Sequence, residues 1–246
     1  MIFGPLRTST NYHKNEKRIV GGKNGFGFKL VLIWSTYGRI ETIDHKRGLK
    51  YVQEFHNNLD VIDPPKITKC SSTKPYTKVT FKPHYQRLGI QGLTPDMVAL
   101  LRKRVYDIGA VTDHSIKKIK VIYNDEIIPI KNFQNYIDMY IGPKDQTKRV
   151  YETHEERWEY AIALSPTHEF MQVSFVNGIA TSKGGKHVDY ITHQIVRKLC
   201  DYIEKKKKIK VNAASIKEQL ILFLRCDIEN PSFDSQTKDY MNTPVA

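Results

Sequence analysis

Four glycines stand between Gly21 and Gly27, and an apolar run from Leu30 to Trp34 follows at once. No other stretch restricts the chain so much. Glycines this close together let the backbone take positive φ and bring N–H groups up to a ligand. A helix opening directly after such a loop would add its free first-turn amides and its dipole to an anion site. The stretch therefore reads as a phosphate loop, with a tight turn ahead of a buried helix as the plain alternative. Two common phosphate patterns fail. Gly22 and Gly27 have P-loop spacing, but Phe28-Lys29 stands where Lys-Ser/Thr belongs. Gly25-Phe26-Gly27 begins a dinucleotide fingerprint, but Leu30 occupies the place of the third Gly.

A chain of 246 residues can hold one large domain or two ordinary ones. Its net charge of +13 implies a field that attracts polyanions, so nucleic acid, nucleotide phosphates and acidic membrane surfaces are all candidate partners. The apolar run at Leu30–Trp34 is far too short to span a bilayer, and Pro5 and Arg7 interrupt any signal-peptide core. The protein is therefore expected not to be secreted and not to enter a membrane. Cys70, Cys200 and Cys226 are far apart and lack metal spacing; free thiols are expected, and no metal ligand is assigned within the chain.

Taken in order, residues 1–20 read as loop, with short hydrogen-bonding side chains at Thr8 to Asn11. Residues 30–36 are ambiguous between helix and buried strand. Two strands are expected over 37–56 around a Lys46-Arg47-Gly48 turn, and another over 76–81. Thr94-Pro95 starts a helix whose apolar residues Met97, Leu100, Leu101, Val105 and Ile108 share one face. Strands at 119–123 and 127–130 and a short helix over 133–140 follow. Gly142 to Gln146 has the composition of a linker, and a domain boundary is expected at 143/144. Beyond it, Trp158–Leu164 and Phe170–Val176 read as an antiparallel pair. A second glycine-rich loop, 177–186, precedes a long helix carrying Val188, Ile191, Ile195, Leu199 and Tyr202 and ending in Lys205 to Lys208. Ser215–Glu218 leads into a buried strand at Leu220–Leu224, and Glu229–Lys238 is a polar loop anchored by Phe233.

These residues carry a family pattern. Thr8-Ser9-Thr10-Asn11-Tyr12, Gly22-Lys23-Asn24-Gly25-Phe26-Gly27-Phe28-Lys29, Ser174–Asn177 through Ala180–Gly185 to His187–Tyr190, and Glu229-Asn230-Pro231 with Phe233–Lys238 occur in order. Together they resemble the ATPase region of eukaryotic-type (type IIA) DNA topoisomerase II, nearly end to end. The resemblance implies an α+β fold: the back part of a GHKL (Bergerat) ATP-binding sandwich over 1–143, then a transducer domain over 144–246 with a sheet and crossover helices. It implies part of an ATP-dependent type II topoisomerase, an ATP-closed gate that drives strand passage through double-stranded DNA as a homodimer. It also implies work in the nucleus, or in the cytoplasm or a viral factory if the origin is viral. The alternative is a catalytically inactive, stand-alone DNA-binding or dimerising remnant.

The resemblance implies roles by position. The amides of Gly22, Lys23, Asn24, Gly25, Phe26 and Gly27 would wrap the triphosphate beside Phe28, and Lys29 would add charge. Ser9, Thr10 and Asn11 would bond ribose and phosphate. Gln236, Thr237 and Lys238 would form a switch loop, with Lys238 at the γ-phosphate and Gln236 positioning the attacking water. Lys205, Lys206 and Lys207 would lie near captured DNA. The cofactors implied are ATP and Mg²⁺.

The family's general base, a Glu followed four residues later by a Mg²⁺-binding Asn, is expected to precede residue 1, and its DNA-cleaving domain to follow residue 246. The isolated chain is accordingly expected to hydrolyse ATP negligibly. Glu54 and Asn58 copy the Glu/Asn spacing but follow the glycine loop in strand-like sequence, so they are read as unrelated. Phe28 replaces a small residue, where a ring would either pack away from the nucleotide or crowd it.

Overall fold

A computed structural model describes residues 3, 5, 8, 9, 11, 17–22, 24–112 and 119–244. The ambiguity after the glycine loop resolves as a short helix and then a strand. The first elements are α1 (Gly27–Ile33), β1 (Ser35–Asp44), β2 (Leu49–His56), a 3-10 turn (Asn57–Leu59), β3 (Val61–Ile62), β4 (Lys66–Lys69) and β5 (Tyr76–Pro83). They are followed by α2 (Pro95–Val111), β6 (Ile122–Tyr123), β7 (Glu126–Ile127), α3 (Phe133–Ile141), β8 (Arg149–His154), β9 (Trp158–Leu164) and β10 (Met171–Val176). The last are β11 (Ile179–Ala180), α4 (Lys186–Lys207), α5 (Ala213–Glu218) and β12 (Leu220–Cys226). The fold is α+β.

Packing divides the chain into residues 1–14 with 22–95 and residues 15–21 with 96–246. This is not the boundary expected at 143/144. Ala110 of α2 and Phe133, Tyr136 and Ile137 of α3 are buried in one cluster with Ala161, Phe175 and Phe223, so both helices belong with the later sheet. The linker-like composition of Gly142–Gln146 marks a turn inside the second unit.

The first unit is a sheet in the order β3-β2-β1-β5, with β4 also on β2. The β1–β2 hairpin closes as its turn residues dictate: Asp44 Oδ1 accepts the amides of Lys46 and Arg47 at 3.1 and 3.2 Å, and Gly48 takes φ +64°. Leu32 of α1 packs on Ile40 and Phe55. The approach is close enough that a Cβ at Gly38 would lie 2.4 Å from Leu32 Cδ2.

The second unit is a sheet in the order β11-β10-β12-β9-β8. β12 is central and pairs parallel with β10 and antiparallel with β9. Thus β9 and β10 are not the neighbours that the sequence suggests; the later strand lies between them. Side chains alternate along β12: Ile221 and Phe223 join the α2–α3 cluster, while Leu222 and Leu224 join Val188 of α4 and Met241. Both faces are therefore covered, which explains the continuous apolar run.

α2 does not bury its apolar stripe. Leu100, Leu101 and Ile108 are more than half exposed, whereas Asp107, Gly109 and Ala110 are buried. The inward face is set by the Asp107 carboxylate, which accepts the Tyr136 hydroxyl at 2.6 Å and pairs with Lys103 and Arg104 at 2.8 and 3.3 Å. On α4, Val188, Thr192 and Val196 face inward, and the expected stripe drifts out to Tyr202, 60% exposed.

His187, in the first turn of α4, is fully buried, and its Nε2 lies 3.0 Å from Thr181 Oγ1. Burial pushes its pKa down from 6.5 to about 4. The imidazole is neutral in the fold and must gain a proton in the unfolded chain as pH drops. Its contribution is fully present above pH 6.5 and is lost as pH falls through 6.5 toward 4, on the order of 3 kcal/mol in all. Urea unfolding at about pH 7 and about pH 4.5 checks this: His187→Gln is expected to flatten the acid-side loss relative to wild type.

Candidate functional site

The glycine loop is held in the first unit by the stretch that sequence pairs with it. Gly25 takes φ +66°, and a Cβ there would sit 3.0 Å from the Ser9 amide nitrogen, so Ser9 lies directly against the loop. Asn11 donates from Nδ2 to the Gly22 carbonyl at 2.7 Å, while its own amide donates to Ser9 Oγ at 3.1 Å. Ser9 and Asn11 are thus brought to Gly22, Asn24, Gly25, Phe26 and Gly27; Thr10 and Lys23 lie outside the described residues. Among the described residues, and apart from each glycine's own chain neighbours and helix backbone, no atom lies within 4 Å of where a Cβ would be at Gly22 or Gly27. α1 begins after Phe26, whose own side chain makes no capping hydrogen bond.

Two neighbours take positions that spacing does not reveal. Lys29 is buried at 3% exposure, with its ammonium bonded to Thr8 Oγ1 and, at 2.8 Å, to the Gly25 carbonyl. It braces the loop from within. Phe28 turns toward the core and meets Phe3 edge to face at 5.3 Å, beside Leu32, Ile40 and Phe55. Of the two placements open to the ring, it takes the one against the core.

Gln236, Thr237 and Lys238, the residues expected to form a switch loop, lie in the second unit. Asp239 ties them down: its carboxylate accepts Thr237 Oγ1 at 2.8 Å and Ser182 Oγ at 3.1 Å, and its carbonyl accepts the Lys183 amide at 2.9 Å. The Thr237 hydroxyl first, then Ser182 and the nearby cations, hold the Asp239 pKa below the usual carboxylate range. Met241 bridges to Gly185 and Phe233, and Asn242 donates to Ser232 at 3.0 Å, closing the loop on the glycine-rich stretch before α4. Lys238 takes φ +61° and donates from Nζ to the Gly21 carbonyl at 2.5 Å. Burial lowers its pKa. Gln236 is exposed on the same loop.

Sequence reasoning missed the receptor for residues 17–21. Asn177 Nδ2 donates to the Val20 carbonyl at 3.3 Å, and the Asn230 amide donates to Arg18 at 3.0 Å. Most of these bonds end on backbone carbonyls, so only Asn177 and Asn230 themselves could have signalled them. Glu54 and Asn58 are occupied structurally. Glu54 takes Tyr37 Oη at 2.8 Å and Arg39 at 3.2 Å; Asn58 donates to the Ile33 carbonyl at 2.9 Å and meets His84 at 2.9 Å. Lys205, Lys206 and Lys207 are exposed in the last turn of α4, capped by Lys208 at φ +57°.

The DNA gyrase B family pattern matches residues 132–246. A DNA topoisomerase 2 of Saccharomyces cerevisiae is 43% identical over all of this chain, which spans 18% of that protein. A DNA topoisomerase 2 of Arabidopsis thaliana is 45% identical over 97% of the chain and 16% of its own length. The solved ATPase region of Saccharomyces cerevisiae topoisomerase II superposes with a TM-score of 0.90 at 44% identity, covering 99% of this chain and 62% of that one. The chain belongs to the type II DNA topoisomerase family. It spans under a fifth of the length of these curated relatives. Within the type II topoisomerases, the likeness to the ATPase region covers nearly the whole chain and so takes in residues of both units.

Proposed function

We propose that this chain is the nucleotide-operated segment of an ATP-dependent type II topoisomerase, a homodimer whose gate passes one double-stranded DNA through another. The observation that carries this reading is the glycine loop. Gly22 and Gly27 have open space at the Cβ position, while Ser9, Asn11 and Lys29 hold the loop from behind. A loop with exposed residues at Gly22 and Gly27 and so braced suits a triphosphate, which needs donors fixed before it arrives. Lys238, with Gln236 and Thr237 beside it, is the group assigned to the γ-phosphate. Mg²⁺ would be held by a residue outside this chain, as would the general base. Such an enzyme works where DNA is, in the nucleus or at a viral factory.

Lys205, Lys206 and Lys207 supply a sequence-independent DNA contact, supported by their exposure and by the net charge of +13. In the complete enzyme, ATP-dependent relaxation of supercoiled DNA is the test. Replacing all three lysines by Ala is expected to reduce the slope of log K against log salt by about 3 and to weaken every DNA sequence equally. No relaxation by the wild type, or an unchanged slope in the variant, would refute the respective part of this reading.

A further inference from the structure

We infer that Glu54, His56 and Asp63 form a binding site for a divalent transition ion of the Zn²⁺ class on the sheet of the first unit. The three residues show no metal motif in sequence, because the fold rather than the spacing assembles them. Glu54 and His56 are two apart on β2, so both side chains leave the same face. Beyond the turn, β3 pairs back with His56 against Val61 and Phe55 against Ile62. The next residue, Asp63, donates its amide to the Glu54 carbonyl at 3.1 Å, which sets its side chain beside the other two.

One ligand atom from each residue lies within 4.8 Å of the others, and His56 Nε2 is already 3.3 Å from Asp63 Oδ2. A tetrahedral ion bonded to nitrogen and oxygen at about 2.1 Å holds neighbouring donors about 3.4 Å apart, so a small side-chain rotation closes the set. Glu54 Oε1 is taken by Tyr37 and Arg39, two partners that orient the carboxylate. Such outer hydrogen bonds are what fixes a ligand for a metal. The donor set is one imidazole and two carboxylates, borderline rather than soft, with positions left for water. Glu54 and Asp63, though not His56, line a cleft of about 330 Å³. Arg39, Lys50 and Lys66 share that cleft, and their charge moderates the affinity for a cation.

The segment enclosed by the ligands has its own importance. Asn57, Asn58 and Leu59 all take positive φ, a costly run for residues other than glycine. Asn58 in that run is the residue that bonds the carbonyl of Ile33 at the end of α1. An ion joining His56 to Asp63 would pin this turn, and with it the support of the helix that follows the glycine loop. The proposal stands independently of the nucleotide reading.

The test is a Zn²⁺ titration of the chain in competition with a chromophoric chelator, with thermal unfolding in parallel. Wild type is expected to bind one Zn²⁺ and to melt higher with it. His56→Ala and Asp63→Asn are each expected to weaken binding by roughly tenfold or more and to abolish the thermal gain. Glu54→Gln, which retains Oε1 for Arg39, provides the same reading should either variant fold poorly. Cys70→Ser should leave binding unchanged. No saturable binding, or equal binding by wild type and the His56 and Asp63 variants, overturns the site. Slowed amide exchange at residues 57–60 on adding Zn²⁺ is the expected structural signature.

Discussion

Lys238→Met is expected to lower kcat for ATP hydrolysis by the complete enzyme at least about a hundredfold, with the KM for ATP changed far less. A cation that meets the γ-phosphate acts mainly on charge developing during transfer, and removing such a group costs rate more than affinity. The structure gives Lys238 the attributes of such a group. Its backbone is left-handed, its loop is fastened through Asp239 and Met241, and its ammonium donates to the Gly21 carbonyl. Burial lowers its pKa, so the ammonium is short of solvation and stands to gain from an anion. Steady-state ATPase assays of wild type and variant decide the matter; unchanged kcat would remove Lys238 from the proposed chemistry.

Gly185→Ala is expected to destabilise the second unit by about 2–4 kcal/mol and to release residues 232–243 from the glycine-rich stretch before α4. Gly185 has φ +143°, outside the range of alanine, and a Cβ there would sit 2.3 Å from the Met241 carbonyl oxygen and 2.6 Å from its nitrogen. Those are backbone atoms and cannot rotate away. Met241 itself is fully buried among Val176, Val188, Leu222 and Leu224. Displacing it would open that side of the core and free the loop bearing Lys238. Urea unfolding measures the loss, and faster proteolysis within 232–243 measures the release. A variant with wild-type stability would mean that the loop is docked by other contacts.

Much of the fold was legible because local chemistry and tertiary structure agree. The Lys46-Arg47-Gly48 turn, the period of α4 and the apolar run of β12 each name their element. What was hidden depends on long-range choice. Alternation in β9 and β10 shows two strands but not that residues 220–226 pass between them. β8, residues 149–154, is a largely exposed edge strand whose polar sequence gives no burial signal. α2 buries Asp107 rather than its leucines because Tyr136, 29 residues later, supplies a hydroxyl. At the candidate site, the closeness of Ser9 and Asn11 to the glycine loop could be read from the motif. The burial of Lys29 could not, because it follows from where Thr8 and the Gly25 carbonyl fall in space.

The central position of β12 bears on how the protein is made. β9 and β10 leave the ribosome before the strand that joins them, and until residue 226 has emerged the β8–β9 and β10–β11 hairpins have no strand to unite them. The nascent second unit therefore passes through a period with unpaired strand edges and open apolar faces, the condition under which chains seek wrong partners. Its sheet depends on contacts distant in sequence, which also slows folding. Synthesis, rather than the finished state, is the stage at which this unit most needs protection.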